Sequence, residues 1–121
     1  MLAKNDLVID GALKSLEICK RHGIPVGFGT DLLGQLQVEQ SEEFTLRAQV
    51  VSAIEVIRSA TKIGAKILRM EGKLGCLKPN AFADILLVDG NPLKDLTLLQ
   101  GQGKHLAAII KGGRFYKNGL H

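Results

Sequence analysis

The residue best placed to do chemistry is Asp31. It closes the run Ile24-Pro25-Val26-Gly27-Phe28-Gly29-Thr30-Asp31, in which apolar Ile24, Val26 and Phe28 alternate with Pro25, Gly27 and Gly29. The alternation predicts a buried strand, and glycine inside a strand marks close approach by backbone or ligand. A carboxylate at a strand's C-terminal end lies where parallel α/β folds, open or barrel, gather ligands and catalytic groups. The same Thr-Asp pair can instead cap the next helix or accept turn amides, which is a purely structural role.

Other reactive side chains carry less. The histidines are His22, His105 and His121, and none has metal-ligand spacing. Cys19 and His22 lie on adjacent turns of a helical pattern and could share an ion, but an imidazole placed against the helix dipole is the simpler reading of His22. His105 and His121 read as solvated. Cys19 and Cys76 stand far apart in dissimilar settings, so free thiols in a reducing compartment are expected. Cys76 has no nearby base and does not read as a nucleophile. Gly27-Phe28-Gly29 lacks the third glycine and helix entry of a dinucleotide loop.

Length and charge bound the rest. The chain has 121 residues, 45% of them apolar and 23% charged. That is enough for one modest domain and far short of the roughly 250 residues of a complete eightfold barrel. A barrel reading therefore makes this chain a piece of something. Sixteen Lys and Arg against twelve Asp and Glu give +4, but the basic residues are scattered and the few aromatics sit in no RNA-binding motif. No nucleic-acid partner is expected. No apolar run reaches membrane-spanning length, and no tripartite leader opens the chain, which points to the cytoplasm.

The elements that must position Asp31 follow from local signals. Asn5 or Asp6 can cap a helix whose apolar stripe runs through Ile9, Ala12, Leu13, Leu16 and Cys19; Gly23 ends it and Pro25 forbids its return. The strand comes next, giving a helix-to-strand step of a layered, parallel α/β fold. Leu32, Leu33 and Gly34 form a connection above the strand end. Glu42 and Glu43 suit the first turn of a helix continued by Phe44, Leu46, Arg47 and Val50. Ser52 and Glu55 make a capping box for a helix packing through Ile54, Ile57, Ala60 and Thr61 and closed by Gly64. From Gly72 the chain reads as β: a strand over 72–77, a turn in which Asn80 takes positive φ, a strand over 84–89 buried on both faces, and a hairpin of Leu106–Lys111 and Arg114–Lys117 about Gly112-Gly113. The expected division is 1–71, α/β, and 72–121, mostly β.

In order, Gly23–Asp31, the helical stretch Ser52–Leu68 with Ala60-Thr61 and Gly64-Ala65, and the blocks Gly72–Pro79, Ala83–Leu93 and Ile110–Tyr116 resemble the C-terminal portion of the metal-dependent amidohydrolase superfamily. The likeness is to members similar to imidazolonepropionase and prolidase-type enzymes. It covers nearly the whole chain, and the order of the blocks is more specific than any one of them. Pro79-Asn80 replaces the usual proline-glycine, which a positive-φ turn tolerates.

The resemblance implies a fold: the end of a (β/α)8 barrel over 1–71, then strands of a small composite β-sandwich over 72–121. It implies a reaction, hydrolysis of an amide or cyclic amide carbon-nitrogen bond of a small molecule by metal-activated water. The ion is divalent, with zinc the first expectation. Asp31 matches the aspartate that ligates the metal and shuttles the proton, while Leu32, Leu33 and Gly34 would shape the substrate mouth. The family's His-x-His pair and its remaining ligands would lie upstream of Met1, so the chain alone is expected to hold no catalytic metal and to turn over little or nothing. Its partner would be the missing N-terminal barrel segment or further copies of itself. A reading of another class is a non-catalytic, oligomeric remnant or binding module that keeps the fold elements without the site.

Overall fold

The computed structural model describes residues 2–120. Helix α1 (Leu2–Arg21) is followed by an irregular segment over 24–33 and a 3-10 stretch, Gly34–Glu42. Next come α2 (Glu43–Arg47), α3 (Ala53–Arg58), a π turn (Ser59–Ile63) and α4 (Gly64–Ile67). The C-terminal part holds β1 (Ile85–Val88), a 3-10 turn (Leu96–Leu99), β2 (Leu106–Lys111) and β3 (Arg114–Asn118). The three strands form one antiparallel sheet in the order β1-β2-β3, with Leu86 opposite Ile109 and Lys111 opposite Arg114.

Several local signals produce the elements expected of them. Gly23 takes φ +65, its amide donates to Lys20 O and that of Ile24 to Cys19 O, the paired bonds of a left-handed helix stop. Ser52 and Glu55 form a reciprocal capping box, with Glu55 Oε2 accepting from the Ser52 amide at 2.8 Å and its hydroxyl at 2.6 Å. Those bonds, with Lys20 nearby, hold the Glu55 carboxyl below its usual range. Asp95 is lowered in the same way by the hydroxyl and amide of Thr97, which it caps. Gly112 and Gly113 both take positive φ in the β2–β3 turn, the handedness a two-residue hairpin loop requires. Asn80 has φ +68.

Other expectations are corrected. Residues 24–29 form no strand and no parallel sheet lies beneath them; among the described residues the only parallel pairing is an isolated bridge between Glu71 and Leu74. A strand exists only in relation to neighbours, and none is present here to complete the ladder. That bridge and its turns replace the strand expected over 72–77. Asn5 and Asp6 sit inside α1 rather than at its cap, and of its stripe Leu13, Leu16 and Cys19 are half-buried while Ile9 and Ala12 stay exposed. Helix α2 stops at Arg47, before Val50. Of the face expected after Ser52, Ile57 and Thr61 are half-buried while Ile54 and Ala60 are exposed, and the buried side chains there are Val56 of α3 and Ser59 of the π turn. Gly64 does not end that helix but opens α4, because the π turn carries the chain through; the left-handed stop falls at Arg69, φ +55. β1 lies at a sheet edge and is not buried on both faces: Leu86 and Leu87 are exposed.

The core is thin. Val56, Ala65 and Ser59 are buried among the helices, and Leu96, Leu106 and Ala108 against the sheet. Large apolar side chains remain open to solvent, Leu7, Leu33 and Leu77 at 72%, 76% and 79% among them. The two regions meet where Gln100 Nε2 donates to Thr45 Oγ1 at 2.8 Å and where Gly75 abuts the π turn so closely that an added Cβ would collide with Thr61 O. No described helix is long and apolar enough to cross a membrane.

Candidate active site

Asp31 is held by a segment with no ladder or helix of its own, so α2 and the π turn do the holding. The Phe28 amide donates to Ser59 O at 3.2 Å, a carbonyl at the start of the π turn. Arg47 Nη2 donates to Gly27 O at 2.8 Å, and the Gly29 amide lies 3.4 Å from Glu43 Oε1. Arg47 and Glu43, one helical turn apart, are themselves joined at 2.5 Å, with side chains only 13% and 14% exposed. The Phe28 ring sits 4.5 Å from that of Phe44 and 5.1 Å from the Arg47 guanidinium carbon. Desolvation strengthens such charge-assisted contacts, and the planar fork of arginine lets one side chain serve two acceptors.

Beyond this anchorage Asp31 turns into the left-handed region, φ +54, a conformation aspartate tolerates better than most residues. The residue is exposed, and its carboxylate takes part in none of the hydrogen bonds or ion pairs seen among the described residues. It therefore does not cap the 3-10 stretch: the extended Leu33 occupies that cap without a side-chain bond. The Leu32 amide lies 3.4 Å from Thr30 Oγ1, so the threonine supplies the turn contact. Leu32 is half-buried, while Leu33 and Gly34 are exposed.

Among the described residues no three His, Cys, Asp or Glu side chains cluster closely enough to hold a metal ion. Asp31 alone offers one carboxylate, whereas a catalytic zinc takes about three protein ligands and keeps one position open. The residues present thus do not build a metal centre by themselves. His22 is exposed, Cys19 and Cys76 are half-buried free thiols, and His121 lies outside the described residues. A cavity of about 310 Å³ lies between α1, residues 23–26 and α3, walled by Leu16, Ile24, Val26, Val51 and Ile63, and does not include Asp31. In the 3-10 stretch after Asp31, the neighbouring Glu39 bonds to and repels Glu42, raising its carboxyl above the usual range.

Sequence reasoning did not single out Ser59, nor the joint role of Glu43 and Arg47. The available signal was an acid in a first helical turn with arginine four residues later, a pair that meets on one helix face. Its target, the backbone twenty residues upstream, could not be read from that spacing.

Comparison with known proteins places the fold. A crystal structure of an amidohydrolase superposes with a TM-score of 0.87 at 52% identity, over 90% of this chain and 26% of that one. A prolidase solved with N-methylphosphonate-L-proline gives a TM-score of 0.83 at 40% identity, over 87% and 26%. Among curated sequences, the 5-methylthioadenosine/S-adenosylhomocysteine deaminase 1 of Syntrophus aciditrophicus is 33% identical over 103 residues, covering 76% of this chain and 23% of its own length. The chain thus spans about a quarter of the length of these relatives. Its helices and antiparallel sheet form part of a larger fold, and with residues 1–114 matching the amidohydrolase family model the chain belongs to the amidohydrolase family.

Proposed function

We propose that these residues form the C-terminal part of a hydrolase acting on the carbon-nitrogen bond of a small amide-type molecule, with Asp31 as the carboxylate they contribute to the reacting centre. The observation that carries the proposal is a free, exposed carboxylate at the end of an anchored segment, in a chain of the amidohydrolase family. Structural aspartates in turns normally accept backbone amides, and this one accepts none among the described residues. An unencumbered carboxylate can take a proton from attacking water and deliver it to the departing nitrogen, the general acid–base role that accelerates such reactions about 10²- to 10⁴-fold. The family resemblance brings a divalent metal, which would supply the activated water. Its other ligands would come from the part of the fold outside these residues, and the chain alone would turn over little or nothing. Leu32, Leu33 and Gly34 would line the approach to Asp31.

The test is a graft of residues 1–120 into the matching quarter of the prolidase relative. Release of proline from the grafted enzyme, with Asp31→Asn lowering kcat by about 10³-fold and moving KM little, is the expected result. An Asp31→Asn graft as active as its parent would refute the assignment.

The apolar side chains left open, Leu7, Val8, Leu33, Leu36 and Val38, favour a complementary reading of the isolated chain. Such surface needs cover. We propose that the remainder of the fold covers it where present, and that a second copy does so where it is not. Light scattering of the purified chain should then give an oligomer, and a stable monomer at high concentration would argue against this.

A further inference from the structure

Resting on the assignment of Asp31, we infer that Glu43 and Arg47 are positioning residues: together they fix the backbone of Gly27–Gly29 and thereby the left-handed turn that presents the Asp31 carboxylate. Three observations converge. Arg47 reaches Gly27 O at 2.8 Å and Glu43 reaches toward the Gly29 amide at 3.4 Å, so both peptide flanks of Phe28 are held by one ion pair. The Phe28 ring lies against both the Arg47 guanidinium and the Phe44 ring, and its amide is tied to Ser59 O. The segment 24–33 has neither ladder nor helix of its own, and the other contacts on it are Ile67 of α4 beside Gly27 and the Ile24 amide on Cys19 O at the end of α1, neither of which reaches Gly29. Asp31 follows Gly29 by only two residues, and its φ of +54 is a less favoured well that drifts toward ordinary values once the preceding peptides are loose.

The clamp is of a kind that lysine cannot copy. The guanidinium serves Glu43 and Gly27 at once from a rigid plane, whereas an ammonium is a single point donor on a flexible stem.

The test is NMR on the full chain. A positive φ shortens the distance between a residue's own amide and α protons, so Asp31 should show a strong intraresidue cross-peak. Asn80, at φ +68 and remote from the clamp, serves as internal reference. Arg47→Met keeps an apolar stem against Phe28 but removes every donor. It should weaken the Asp31 cross-peak up to about fourfold as the residue leaves the left-handed region, and speed amide exchange at Phe28 about tenfold or more by local opening. Asn80 should not change. Arg47→Lys should fail to restore the wild-type signals, and Glu43→Gln should shift them part of the way. Unchanged Asp31 and Phe28 signals in Arg47→Met would overturn the inference, as would full restoration by lysine or equal losses at Asp31 and Asn80. If Arg47→Met does not fold, unchanged signals in both Arg47→Lys and Glu43→Gln would overturn it as well. Asp31→Asn leaves the turn geometry in place, asparagine accepting the same φ, whether or not Asp31 is catalytic. The clamp and the catalytic assignment can therefore fail separately.

Discussion

The β2–β3 hairpin and the segment 24–33 are both short runs with neighbouring glycines, and they are held in opposite ways. The hairpin is closed by backbone bonds between adjacent strands about Gly112-Gly113, and its turn amides donate to Ala83 O and Asp84 Oδ1 beside β1, so its order comes from within the sheet region. The segment before Asp31 borrows its order from side chains on α2 and a carbonyl on the π turn. Hairpin geometry should therefore survive changes on α2 and the π turn, while the candidate site inherits the fate of Glu43, Arg47 and Ser59.

Changes at distinct anchors should pull the two regions apart. The largest effect is expected from Gly75→Ala, because φ at Gly75 is +65 and the new methyl would strike Thr61 O in the π turn. A cost of about 3 kcal/mol is expected. Denaturant unfolding should record it, with exchange at Phe28 rising more than at Ile109. Arg47→Ala ranks next, since it strands a largely buried carboxylate and the Gly27 carbonyl, at about 2–3 kcal/mol. Its signature in a hydrogen-exchange map is loss of protection over 27–29 with β2 and β3 unmoved. Gly113→Ala reverses the pattern: φ there is +78, so the hairpin should lose about 1 kcal/mol while Phe28 keeps its protection.

Acid gives a smaller effect. The folded pKa of Glu55 is lowered from 4.5, chiefly by the Ser52 hydroxyl and then its amide, with Lys20 adding. Between the two values the unfolded chain binds more protons, so the stabilisation is complete above 4.5 and fades as pH falls through the lowered folded value. An NMR titration should show the Ser52 amide shifting in that window, with Ile109 in mid-ladder unaffected. Smallest of all is Asp31→Asn, expected to change stability by under about 0.5 kcal/mol because the side chain is exposed and unbonded. A large thermal shift would instead mean that Asp31 holds the fold together.

Those contrasts explain what could be read from the chain. Gly23, the Ser52-Glu55 box, Asn80 and Gly112-Gly113 were legible because each signal and its structural effect lie within a few residues. The alternation over 24–29 was legible as an amphipathic run, but its expression as a strand depends on neighbours not among the described residues. The π turn left no local mark: Gly64 reads as a stop and is passed through, with the stop displaced to Arg69. At the site, the Thr30-Asp31 pair and the Glu43–Arg47 spacing were visible. Their connection through Gly27 and Gly29 is tertiary, and only coordinates reveal it.

The handedness of the backbone at residue 31 also bears on how such a chain would decay. Single-base changes turn an aspartate codon into one for asparagine or glycine, and both residues accept the same left-handed turn. A copy released from selection could thus lose this carboxylate in one step while keeping its shape. Glutamate preserves the charge but suits the twist poorly, so it is the replacement such drift should seldom fix.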